Sequence, residues 1–277
     1  PARLEYTMPE LPEVEVSRRG LEPFLAGRTV VAAVLRTPRL RNDIPERLTA
    51  LLPGMHLHAI RRRGKYLLFD FGCGQLLLHL GMSGSLRLVP PGTPPQKHDH
   101  FDLCFPDTVM RFRDPRRFGV LDWLEGHGQQ HPLLNALGIE PLTDDFSGDW
   151  LYQAARARRA PIKPVLMDAH LIVGIGNIYA SESLFLAGIS PLRAACRIGR
   201  ERCERLAGAV KETLAASIAA GGSSVRDYVH SDGGAGCFQL QCAVYDRAGT
   251  PCTHCGTPIR STRQAGRSTY WCPCCQT

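Results

Sequence analysis

The chain has 277 residues, 44% of them hydrophobic, which is enough for real cores and for two domains or more. Lysine and arginine outnumber aspartate and glutamate by 33 to 26, and this net charge of +7 suits a polyanionic partner, nucleic acid above all. No run is apolar and long enough to cross a membrane, no signal-peptide core opens the chain, and the cysteine count of 11 is odd; a cytosolic, metal-binding protein is expected rather than a secreted disulfide scaffold.

The first informative stretch is Met8-Pro9-Glu10-Leu11-Pro12-Glu13-Val14-Glu15. Methionine followed by proline reads as a chain start, because initiator methionine is commonly removed before a small residue. Removal would leave Pro9 with a free secondary amine, whose pKa lies near about 7.7–8.0. Such an amine can attack a sugar carbon to give a cationic iminium, with Glu10 moving the proton. A plainer reading makes the octet a helix start, with Pro12 in the first turn and acids at the positive end of the dipole. The sequence itself begins at Pro1, and in that form the Pro9 nitrogen is a tertiary amide. Met8 is therefore read as the true start and residues 1–8 as a leader foreign to the working protein.

Residues 11–26 carry Val14, Leu21, Phe24 and Leu25 at helical spacing, with Gly27 as the stop. The following stretch to Trp123 is strand-like. Val30–Leu35, Tyr66–Phe71 and Leu76–Leu80 are short apolar or alternating runs bounded by Gly, Pro and Asp, predicting a sandwich or barrel over 9–125. Residues 126–148 read as an interdomain connection. Asp149–Ala220 is helical in period, broken at Gly174 and Gly176, with Gly188 ending a helix. Residues 221–242 form a glycine- and serine-rich loop, and 243–277 a cysteine-rich end.

Cys252-x2-Cys255-x16-Cys272-x2-Cys275 fits a four-thiolate zinc site. All four positions are filled by protein, so the ion would be structural. Cys274 adjoins the last ligand, and the x2 spacing favours Cys275. Between the pairs, Arg263 and Arg267 flank a polar hairpin tip, either a solvated turn or a phosphate contact. Gly174-Ile175-Gly176-Asn177-Ile178-Tyr179 is not a dinucleotide fingerprint, because Tyr179 stands where a small residue belongs. It can still open a helix toward phosphate, with Asn177 and Tyr179 adding donors.

Only Lys65, Lys97, Lys163 and Lys211 are lysine, so each merits scrutiny as a proton carrier that arginine cannot be. Lys65 precedes a strand and suits a proton-shuttling amine or a plain basic surface. Met82, in a glycine-flanked turn, is a core methionine or a wedge between base steps. Asp114-Pro115-Arg116-Arg117-Phe118 marks a protruding turn suited to groove insertion. In Lys97-His98-Asp99-His100, phosphate contact or a structural role is favoured over metal.

Taken together, MPELPEVE, RRRGKYLL, HLGMSGSLR, KHDHFDL, DPRRFG, VGIGNIYASE, SDG and the four-cysteine tail resemble the bacterial formamidopyrimidine-DNA glycosylase family, over essentially the whole chain from Met8. The resemblance implies an α+β protein: an N-terminal β-sandwich with a flanking helix, a helix–two-turn–helix domain over 149–242, and a zinc-finger hairpin over 243–277. It implies base excision repair of damaged double-stranded DNA by a monomer in the bacterial cytosol, holding one structural zinc. Oxidised purines would leave through a proline Schiff base, followed by β,δ-elimination. By motif, Pro9 becomes the nucleophile, Glu10 the acid/base, Lys65 a proton donor and phosphate contact, and Arg267 the hairpin contact tied to δ-elimination. His98, Arg116, Arg158, Asn177 and Tyr179 match DNA contacts. Met82, Arg116 and Phe118 match residues that fill the gap left by an extruded nucleotide, and the 221–242 loop matches the lesion loop. An endonuclease-VIII-type enzyme for oxidised pyrimidines is the alternative, or a lesion binder without chemistry if Pro9 stays embedded.

Overall fold

The computed structural model describes residues 9–126, 131–222 and 242–277. The leader through Met8 and nearly all of the 221–242 loop lie outside the described residues. The chain divides into two compact units, one holding residues 1–135 and 221–239, the other 136–220 and 240–277.

The first unit opens with helix α1, Leu11–Leu25. Pro12 suits its first turn, where an N–H would have no partner. The Glu13 carboxylate accepts the Glu10 backbone N–H at 2.9 Å, one half of a capping box, and Gly27, at φ 78°, turns the chain away at the far end. There follow β1 (Arg28–Thr29), β2 (Ala32–Leu35), the short helix α2 (Leu48–Leu51), β3 (His56–Leu57), β4 (Ala59–Arg63), β5 (Tyr66–Asp70) and β6 (Gly74–His79). Then come β7 (Ser85–Val89), β8 (Asp99–Cys104), β9 (Val109–Arg113), β10 (Val120–Glu125) and helix α3 (Pro132–Asn135).

Two four-stranded antiparallel sheets result, in the orders β10-β6-β5-β4 and β2-β8-β9-β7. Phe69, Leu78 and Trp123 of the first sheet share one core with Phe101, Met110 and Phe112 of the second and with Val14, Leu21 and Leu25 of α1. This is the expected sandwich with its flanking helix. The other face of the first sheet, through Leu68, Leu77, Val120 and Leu124, is covered by Leu133 and Leu134 of α3.

One expectation is corrected. Val30–Leu35 reads as a single strand, but the chain changes partners within it: Val30 N–H donates to Met55 O and Val31 N–H to Cys104 O. Both valines satisfy their backbone while leaving one ladder for another, which hydrophobic pattern does not encode.

The second unit contains α4 (Gly148–Ala155), capped by Ser147, α5 (Ile162–Leu166), α6 (Asn177–Leu186), a 3-10 turn at Ala195–Arg197, and α7 (Arg200–Ala219) around one apolar core. A hairpin of β11 (Arg260–Gln264) and β12 (Arg267–Trp271) follows. The ribbon carrying it is held by Glu182 of α6, whose carboxylate accepts the N–H groups of Ala243, Val244 and Tyr245 at 2.7, 3.0 and 2.8 Å. Among the described residues no helix is long and apolar enough to cross a membrane.

Glu15 joins α1 to the first sheet, accepting from Arg18, Arg19 and, at 3.1 Å, Arg62 of β4. Burial alone would raise its pKa, yet the arginines outweigh burial and hold the carboxyl below its usual value. Such a group stabilises the fold fully above the ordinary value of 4.5, and the contribution fades as pH falls through the lowered one. Replacing Glu15→Gln should cost about 3 kcal/mol, because charged guanidinium groups lose their acceptor. Urea unfolding at pH 7 measures this as a lower midpoint at unchanged slope.

Candidate active site and nucleic-acid contacts

Pro9 is half-buried and stands directly before Glu10, which is 3% exposed at the start of α1. Lys65 sits in the two-residue turn between β4 and β5, where Arg63 pairs with Tyr66. Gly64, at φ 56°, takes the first turn position, as a type II′ hairpin demands. Arg62 binds Gly64 O at 3.0 Å with one nitrogen and Glu15 with another, so a single guanidinium ties the Lys65 turn to the helix that directly follows Pro9 and Glu10. The three catalytic candidates of this unit thus lie on elements fastened to each other.

His79, which sequence reasoning passed over, belongs to the same surroundings. It pairs across the sheet with Tyr66, their rings 4.7 Å apart, and its Nδ1 accepts the Gly81 N–H at 2.9 Å. Burial first, then the charges of Lys65 and Arg41, push its pKa down to about 4. The ring is therefore neutral near pH 7, with its proton on Nε2, a donor suited to an anion. Its signal in the sequence was weak: one histidine in an apolar run, directly before the Met82 turn.

Met82 is half-buried, whereas Phe118 is 43% exposed and the exposed Arg116 stacks over its ring at 5.1 Å. His98 adopts φ 76°, a conformation that costs a non-glycine residue energy, and its carbonyl accepts the Asp114 N–H at 3.0 Å.

In the second unit, Asn177 is the first residue of α6, where the helix dipole favours an anion. Its Oδ1 accepts from Lys163 Nζ at 2.6 Å; the same ammonium donates to Ser268 O and Thr269 Oγ1, each at 2.8 Å. Lys163, 1% exposed, thereby sets the rotamer of Asn177 and pins the strand next to Arg267. The scarcity of lysine was the one sequence signal for it. Tyr179 differs from expectation in its side chain: it is fully buried, with its hydroxyl 2.6 Å from Ser217 Oγ, so what it can turn toward a phosphate is backbone in the first turn. Arg158 follows α4, half-buried, with one nitrogen on Ala154 O at 2.6 Å. Arg267 is exposed beside the Ala265-Gly266 turn, whose positive φ angles of 47° and 76° are those of a tight type I′ hairpin.

The sulfurs of Cys252, Cys255, Cys272 and Cys275 all lie within 4.8 Å of one another. Tetrahedral zinc with Zn–S bonds of about 2.3 Å needs sulfurs roughly 3.8 Å apart, and the 252–275 and 255–272 pairs stand at 3.9 and 3.5 Å. Backbone N–H groups of His254 and Cys275 point at Cys252 and Cys272 sulfurs, each at 3.4 Å, as outer partners of thiolates do. The donor set fits one structural zinc. Cys274 is exposed and outside the cluster.

Residues 8–121 match the family model of the formamidopyrimidine-DNA glycosylase N-terminal domain, 137–229 that of the same enzymes' H2TH domain, and 249–277 a zinc finger found in FPG and IleRS. Formamidopyrimidine-DNA glycosylase of Dechloromonas aromatica is 61% identical, over 97% of this chain and all of its own. That of Thiobacillus denitrificans is 56% identical, with the same coverage. Among solved structures, the MutM (FPG) protein of Thermus thermophilus is similar at TM-score 0.85 and 40% identity, over 97% of this chain and 98% of its own. Lactococcus lactis Fpg in complex with abasic-site DNA is similar at TM-score 0.87 and 34% identity, over 97% and 99%.

Two measurements check these sites. Cys252→Ser should abolish the one zinc equivalent per chain and lower DNA affinity, whereas Cys274→Ser should retain both, as read by zinc analysis and filter binding. In a histidine NMR titration His79 should stay neutral down to about pH 4, well below its ordinary 6.5. Between these values the unfolded chain binds the proton and the folded one does not, so His79 makes the fold less stable as pH falls through that window.

Proposed function

This chain belongs to the formamidopyrimidine-DNA glycosylase family, and from that premise we propose how its own residues carry the reaction. It is a bifunctional glycosylase and abasic-site lyase of base excision repair, acting as a monomer on damaged double-stranded DNA and releasing oxidised purines such as 8-oxoguanine and formamidopyrimidines. Its substrate puts it with the bacterial nucleoid in the cytosol. One observation carries the assignment of roles: α1, which follows directly on Pro9 and its N-cap Glu10, is bound through Glu15 and Arg62 to the turn that presents Lys65.

The working chain begins at Pro9, Met8 having been removed. The start of the N-terminal family match at residue 8 supports this. The target nucleotide leaves the stack at about a few kcal/mol, least when the base is damaged or badly paired. Pro9 nitrogen then bonds to C1′ as the glycosidic bond breaks, and the base departs with a proton. Glu10 protonates the ring oxygen, the sugar opens, and the cationic iminium forms. The iminium acidifies C2′; loss of that proton expels the 3′ phosphate, and a second loss at C4′ expels the 5′ phosphate. Hydrolysis returns Pro9 and leaves a one-nucleotide gap with phosphate at both ends. No electrons are exchanged with a cofactor at any step.

Lys65 donates a proton and neutralises a phosphate beside the reacting sugar, while His79 offers a neutral donor. Arg267 holds phosphate from the hairpin, which zinc keeps folded, and promotes the second elimination. Asn177, positioned by Lys163, grips backbone phosphate at the α6 terminus together with the backbone of Tyr179. His98 and Arg158 contact the duplex, and Met82, Arg116 and Phe118 occupy the space of the extruded nucleotide. The 221–242 loop reads the purine.

Borohydride should trap the Pro9-terminal protein covalently on DNA containing 8-oxoguanine opposite cytosine. Pro9→Gly should retain DNA binding while slowing base release by about a hundredfold or more. Unchanged release would remove proline from the mechanism, and a preference for thymine glycol would overturn the purine assignment.

A further inference from the structure

The chain passes between the two sheets twice at the same place. It leaves β6 for β7 through residues 80–84 and returns from β9 to β10 through 114–119; β6 neighbours β10, and β7 neighbours β9. The pairs His79–Val120 and Ser85–Arg113 close the two ends. Hence the turn bearing Met82 and the turn bearing Arg116 and Phe118 are two crossovers running side by side. Their backbones touch: a Cβ on Gly81 would meet Phe118 C at 2.4 Å and Gly119 N at 2.5 Å.

Between them lies the carboxylate of Asp114, which is 0% exposed. One oxygen accepts the Ser83 hydroxyl at 2.7 Å from the first turn, and the other accepts the Gly119 N–H at 2.7 Å from the second. Ser83 Oγ in turn accepts the Arg116 N–H at 3.1 Å. The Asp114 backbone adds three more bonds: its carbonyl accepts from Arg117 N at 3.3 Å and from His100 Nε2 at 2.9 Å, and its N–H donates to His98 O. A carboxylate this deeply buried is costly to leave without its donors, so neither turn can shift without cost.

We propose that Ser83 and Asp114 form a clasp that makes Met82, Arg116 and Phe118 a single rigid wedge, so that all three enter the duplex together when a paired base is driven out. This rests on the gap-filling role given above to those three residues. Ser83 and Asp114 touch no reacting atom; they are positioning residues, and their effect falls on extrusion of a stacked base. A sugar that has already lost its base needs far less wedge work.

The test uses the zinc-loaded chain beginning at Pro9, with single-turnover rates on two duplexes: 8-oxoguanine paired with cytosine, and a preformed abasic site. Ser83→Ala should slow excision of the paired lesion about tenfold, leave abasic-site nicking near wild type, and be rescued by Ser83→Thr. Met82→Ala and Phe118→Ala should each slow excision, and their combined loss should fall short of the product of the single losses by about threefold or more. In the Ser83→Ala background that shortfall should vanish. If Ser83→Ala lowers both rates equally, or if the two wedge losses multiply independently in both backgrounds, the clasp is refuted. If Met82→Ala and Phe118→Ala leave excision untouched, the wedge reading itself fails, and the clasp falls with it.

Discussion

A carboxylate shared among arginines is the constraint on which the N-terminal end of the first unit depends. Glu15 receives Arg18 and Arg19 from its own helix and Arg62 from β4, and Arg62 also reaches the carbonyl of Gly64 in the turn. Apolar packing of Val14, Leu21 and Leu25 holds α1 on the sandwich, but such packing is non-directional and tolerates sliding. A charged, partly buried, multiply bonded pair does not. It fixes both the axial position and the rotation of the helix that directly follows Pro9 and Glu10, relative to the turn that carries Lys65.

The same device recurs in the second unit with different chemistry. Lys163, an ammonium with three acceptors, joins α5, the first residue of α6 and β12. Glu182, a carboxylate with three backbone donors, ties α6 to the start of the metal ribbon. A ribbon with only the small apolar cluster of Phe185, Val244, Ile259, Cys252 and Cys272 has little hydrophobic free energy of its own, so these polar ties and the zinc supply what its core lacks. Buried charge is expensive unless every partner is present, and this makes each tie all-or-none and hence specific in geometry.

Residues with local signatures were legible early. The x2 spacing of the cysteines announces a chelate because two thiolates on one tight turn can share an ion. Gly27 and Gly188 end helices at positive φ, where glycine carries no Cβ penalty. Lys65 drew attention because lysine is scarce in a chain rich in arginine. What stayed hidden depends on contacts between distant segments. Burial of the Tyr179 side chain is decided by Ser217, 38 residues away. Separation of Val30 from Val31 is decided by which strand each meets, and His79 becomes a neutral donor through its burial in the fold and, after that, through its neighbours Lys65 and Arg41.

By itself the sequence determined the kinds of chemistry available: a proline beside an acid, a lone lysine before a strand, arginines for phosphate and four thiols for zinc. It also determined the alternation of strand-like and helical stretches, since periodicity of apolar residues is a local property. Only the tertiary structure decided which of these groups are held against each other, through the Glu15–Arg62 brace, the Lys163 rivet and the Ser83–Asp114 junction of two crossovers. The physical reason is that a buried charge takes its partners from whatever the fold brings within about 3 Å, and no local pattern records which remote segment that will be.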